Sequence, residues 1–147
     1  MASYLKDFIV VEEDNDHFHF LKTALDNSDF ESRPLRVENP TELQALLEHP
    51  DNSGLAHFKP RMVILGMAHA SEKMWDFLEL RRERSDLRKV PLIVFSSPGI
   101  SPSETQKFYD YGVNSLVLRP KSEEEYNKLI ETIGQYWFGI VMLPTFE

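Results

Sequence analysis

Two adjacent carboxylates, Glu12 and Glu13, a pair of hydroxyls, Ser96 and Ser97, and one cation, Arg119, are the residues of this chain best suited to chemistry together. Each follows a short apolar run: "FIVV" (8–11), "PLIVF" (91–95) and "SLVL" (115–118). A further run of this kind, "MVIL" (62–65), ends in Gly66, which brings no functional group. Carboxylates suit a hard cation such as magnesium. A hydroxyl and a guanidinium both hydrogen-bond phosphate oxygens. If these residues converge, they make a place for a metal and a phosphoryl group.

Convergence requires a fold that lines up the ends of the four runs. The runs are short, continuous and aliphatic, as strands buried on both faces of a parallel sheet are. "PLRVE" (34–38) is a weaker strand candidate, second in chain order. Helical patterns lie between the strands. Phe18, Leu21 and Leu25 make one apolar stripe, Leu43, Leu46 and Leu47 another, and Met74, Phe77, Leu78 and Arg81 a third. Ser101-Pro102-Ser103-Glu104 has the chemistry of a helix start, and Gly112 that of its end. A last helix opens near Ser122 with Glu123, Glu124 and Glu125, and carries Tyr126, Leu129, Ile130, Ile133 and Trp137 on its apolar stripe. The alternation predicts an α/β fold, a doubly wound, five-stranded parallel sheet of the flavodoxin-like (βα)5 kind. In such sheets ligands bind beyond the carboxyl ends of the strands, where Glu12, Gly66, Ser96 and Arg119 fall.

The 147 residues suit one domain, with a core over about 5–137 and a C-terminal extension at 138–147. Without cysteine, thiol catalysis, disulfides and Cys-type zinc sites are excluded, and a cytoplasmic setting is expected. A formal net charge of −8 argues against unspecific nucleic-acid binding. No apolar run reaches the ~18 residues of a membrane span, and the start lacks the pattern of a signal peptide. No glycine-rich phosphate loop follows the first strand, and no histidine–acid pair surrounds Ser96-Ser97, so neither a dinucleotide enzyme nor a hydrolase is expected.

The order, spacing and loop lengths resemble the receiver domain of two-component response regulators. The resemblance rests on "FIVVEEDND", "RMVILGMAH", "VPLIVFSS" and "GVNSLVLRP". "DLRKVPLIVFSS" and "YWFGIVMLP" look closest to the small single-domain regulators paired with bacterial phytochromes. The resemblance implies a role in phosphorelay signal transduction, a histidine kinase among the partners, and an aspartate phosphoacceptor at the end of the third strand. Here that position is Gly66. The family's lysine before proline is Arg119, the acidic pair is kept as Glu12-Glu13, the hydroxyl as Ser96, and the aromatic switch position holds Leu116. Arginine keeps the charge of lysine but not its shape. The chain therefore looks like a pseudo-receiver, a non-enzymatic module acting by protein–protein contact. The alternative is a metal- or anion-responsive switch built on the remaining acidic pocket.

Several readings of the site stay open. Glu12 and Glu13 are a solvated pair, a residual magnesium site, or the partners of Arg119 reaching into the space left at position 66. His17 and His69 border the same crevice and are weak candidates for a transition-metal site. No cofactor is required. The tail, with Tyr136, Trp137, Phe138 and Met142, either folds back on its own domain or forms a homodimer or partner surface, the latter being favoured because such residues are enriched at interfaces.

Overall fold

The computed structural model describes residues 6–29, 32–48, 61–66 and 71–139. Along the chain run β1 (Lys6–Val11), α1 (Asn15–Asp26), β2 (Ser32–Val37), α2 (Pro40–Glu48), β3 (Met62–Gly66), α3 (Glu72–Glu83), α4 (Ser85–Arg88), β4 (Leu92–Ser96), α5 (Pro102–Asp110), β5 (Ser115–Leu118) and α6 (Glu123–Gly139). The strands form one parallel, five-stranded sheet in the order β2-β1-β3-β4-β5. The expected doubly wound α/β architecture is present.

Strand parity divides the core into two layers, because successive side chains of a strand point to opposite faces. Phe8, Val10, Met62, Ile64, Ile93 and Phe95 pack with Leu21 and Leu25 of α1 and Tyr126, Ile130 and Ile133 of α6. Ile9, Val11, Val63, Leu65, Leu92 and Val94 pack with Leu43 of α2, Met74, Phe77 and Leu78 of α3, and Phe108 of α5. Three inner strands sandwiched this way carry continuous apolar runs, as the sequence shows.

Helix ends follow local chemistry. Asp14 caps α1, its carboxylate accepting from the Asp16 and His17 amides. Ser101 and Glu104 form a reciprocal capping box on α5, with Pro102 in the first turn. Gly112, at φ 87°, turns the chain out of α5 in a conformation that favours glycine.

Two expectations need correction. Five helices were predicted, but a sixth, the one-turn α4, precedes β4, with Leu87 buried beneath it. Four residues are too few to show periodicity. β5 was read as buried on both faces, yet it is an edge strand and Leu118 is 59% exposed. A short apolar run does not reveal whether a neighbour covers its outer side.

Candidate functional site

The carboxyl ends of β1, β3 and β5 bring Glu12, Gly66 and Arg119 together. Glu12 continues the side-chain parity of Val10, Gly66 that of Ile64, and Arg119 that of Val117, so all three belong to the α1/α6 face of the sheet. Glu13 has the parity of Val11 and falls on the opposite face.

Glu12 is 3% exposed. Its Oε2 accepts from Arg119 Nη2 at 2.6 Å and from the Asp14 amide at 3.1 Å. Its Oε1 occupies the space beside Gly66: a Cβ placed on Gly66 would overlap that oxygen, with Glu12 Cδ 3.2 Å and the Val11 carbonyl 3.4 Å away. The Glu12 carboxylate thus fills the volume that a side chain at position 66 would need. Burial raises the Glu12 pKa above the ordinary carboxylate value, while the Asp14 amide and Arg119 pull the other way. Arg36 adds a donor to the Glu12 carbonyl, Nε to O at 2.9 Å.

Arg119 is held from behind as well. Its backbone amide donates to the Ser96 carbonyl at 2.8 Å. Its positive charge opposes the effect of burial, which raises Tyr126 to about 12. Tyr126 in turn lies 2.7 Å from His17 Nδ1. The His17 pKa is lowered, first by burial and then by Arg119, against Asp14 and Asp16. Among the described residues, Arg119 Nε is buried without a hydrogen-bond partner.

The chain's similarities can now be set beside this geometry. No family model matches the chain. A probable methanogenesis regulatory protein, FilR2 of Methanothrix harundinacea, is 26% identical over 132 residues, covering 89% of this chain and 83% of its own. The phosphorylated cyanobacterial phytochrome response regulator RcpA superposes with a TM-score of 0.82 at 20% identity, over 95% of this chain and 99% of that one. The chain has the receiver fold of response regulators. The Mn2+-bound form of response regulator Rcp1 is also similar, with a TM-score of 0.77, 16% identity and the same coverage of both chains.

Within this fold the remaining candidates separate. Ser96 is buried at the end of β4 on the α2/α3 face, and its hydroxyl reaches the Val117 carbonyl at 3.4 Å. Leu116 packs against the same layer, its amide donating to the Tyr109 hydroxyl. Glu13 is exposed and lines an open cleft of about 420 Å³ with Glu38, Thr41, Ser71, Lys73 and Gly66.

Glu12 and Glu13 are not placed to share a divalent metal. One Glu12 oxygen is engaged by Arg119 and the Asp14 amide, the other is packed against Gly66, and Glu13 turns to the other face. Among the described residues no group of three His, Asp or Glu side chains is placed to hold an ion. His17 is directed to Tyr126, and His69 lies outside the described residues. On α6, Tyr136 is 51% exposed and meets Trp137 edge-to-face at 5.3 Å, while the Phe138 side chain and Met142 lie outside the described residues.

Sequence reasoning treated Tyr126 as part of an apolar stripe and missed its hydroxyl. It also missed Arg36. The parity of β1 was a usable signal for choosing Glu12 over Glu13, since the apolar run fixes which face each of the two inherits.

Proposed function

We propose that this receiver is a pseudo-receiver: a single-domain module of two-component signalling that works by protein–protein contact, without phosphoryl transfer to position 66. The observation that carries the reading is the Glu12 carboxylate lying in the side-chain space of Gly66 and paired with Arg119. In a receiver that position holds the nucleophile. Glycine offers none, and a buried ion pair takes up the surrounding charges. An anion-responsive or metal-responsive switch is less well supported, because the acidic residue it needs already has its cation.

The same reading makes the protein a cytoplasmic, non-enzymatic partner of a histidine kinase or another signalling protein. It assigns the contact surface to the end of α6 and the tail, with Tyr136 and Trp137 in the described part and the Phe138 side chain and Met142 outside it. A symmetric homodimer is the simplest assembly of such a surface. Similarity to a phytochrome response regulator supports a signalling partner of that general kind.

Intact-mass measurement after incubation with acetyl phosphate and magnesium tests the proposal. No adduct is expected on the protein, and a phosphoryl adduct overturns it. Sedimentation of the protein beside Tyr136→Glu tests the surface: the variant should be monomeric where the parent is a dimer.

A further inference from the structure

We propose that His17, Tyr126 and Arg119 form a proton-sensitive latch that fastens the start of α6 to the Gly66 end of the sheet only while His17 is neutral. The direction of the hydrogen bonds argues for it. Arg119 is a nearby cation that can only donate, so it offers the Tyr126 phenolic proton no acceptor. Among the described residues the hydrogen-bond partner of the Tyr126 hydroxyl is His17 Nδ1, 2.7 Å away, and the tautomer that satisfies the buried phenolic proton leaves Nδ1 unprotonated as its acceptor.

Protonating His17 reverses that contact. Nδ1 would become a donor to the Tyr126 oxygen, and the phenolic proton would lose its acceptor in a site where Tyr126 is 1% exposed. It would also set a second cation near Arg119. The groups facing His17 are Arg119 from the end of β5, Tyr126 from α6, and Asp14 and Asp16 from its own helix start. The two aspartates favour the proton, while burial and Arg119 prevail against it.

Tyr126 is well placed to transmit the change. It sits in the first turn of α6, and its ring packs against Phe20 of α1 and Phe95 of β4, with centroids 6.0 Å and 6.2 Å away. Releasing its hydroxyl loosens the helix to which the contact surface was assigned. The inference relies on that assignment only for its output. The absence of phosphorylation is read by mass and stands or falls separately.

Nuclear magnetic resonance of the full chain between pH 5 and 8 tests the latch. His17 should titrate below the ordinary histidine value of about 6.5, and the Arg119 Nε–H and the Tyr126 and Ile130 amides should shift with the same midpoint. His17→Asn keeps an oxygen that accepts from Tyr126 but takes up no proton, so those shifts should vanish. Tyr126→Phe keeps the ring and removes the link: His17 should still titrate, with no shared midpoint at Arg119. A His17 titration without any response in α6, or an α6 response that survives in His17→Asn or Tyr126→Phe, overturns the proposal.

Discussion

Arg81 and Arg119 are both largely buried, yet they are held in different ways. Arg81, 4% exposed, donates to the Gly112 carbonyl at 2.9 Å, the Val90 carbonyl at 2.8 Å and Asn114 Oδ1 at 3.1 Å. All three acceptors are neutral, and desolvation lowers the Arg81 pKa to about 10. Arg119 has a carboxylate instead, with a tyrosine and a histidine behind it and an Nε without a partner among the described residues. The first arginine ties together α3, the turn into β4 and the loop before β5. The second sits among groups whose proton positions can change. Carbonyls give a fixed frame; a titratable partner gives one that can respond.

The largest effect expected is at the fixed end. Arg81→Leu should lower unfolding stability by about 4 kcal/mol, because it strands buried acceptors as well as removing charged hydrogen bonds. Urea denaturation measures it, and a loss below about 1 kcal/mol would erase the contrast.

Next comes the ion pair. Glu12→Gln should cost about 3 kcal/mol, since it leaves a buried guanidinium without its counter-charge. Arg119→Met combined with Glu12→Gln should cost much less than the two separate losses added together. A double-mutant cycle reads this as a coupling of about 2 kcal/mol. Additive losses would mean that the pair contributes nothing as a pair.

Gly66→Ala should be milder, at about 1–2 kcal/mol, through displacement of the Glu12 carboxylate. Its cost should shrink in a Glu12→Ala background, where the obstructing oxygen is gone. An undiminished cost there would place the obstruction in the backbone instead.

The smallest effect is the pH dependence of His17. Its native pKa is depressed, so the neutral form is favoured on folding. Its contribution to stability is complete above the unfolded value of about 6.5 and is lost as pH falls towards the native value. Thermal melts of the parent and His17→Asn at pH 7.5 and 5.5 should diverge, the parent losing more. Parallel behaviour would remove His17 from the responsive end.

The inner strands and the helix caps were legible because each depends on local chemistry. Val10 and Val11, or Ile64 and Leu65, are apolar for both layers, and Ser101-Pro102 announces α5 by itself. The glycine at the end of β3 was equally plain, since Gly66 needs only to be located. What stayed hidden depends on distant partners. The Tyr126 hydroxyl matters because a histidine 109 residues earlier faces it. The exposure of Leu118 goes with β5 having no outer neighbour among the described residues. Arg81 looks like an intruder on an apolar stripe until Val90, Gly112 and Asn114 gather around it.

Gly66 has no left-handed backbone conformation that would reserve the position for glycine. In genetic terms, glycine and aspartate codons can differ by a single base, so an acidic side chain at 66 can be a short step away. Selection would nevertheless meet an obstacle away from the changed codon. A new carboxylate at 66 must displace that of Glu12 and compete with it for Arg119. The first such variant would carry two crowded acids and one cation, and would lose stability before gaining any chemistry. Its neighbours thus hold the position in place: the glycine at 66 is free to change by itself and is kept through epistasis with positions 12 and 119.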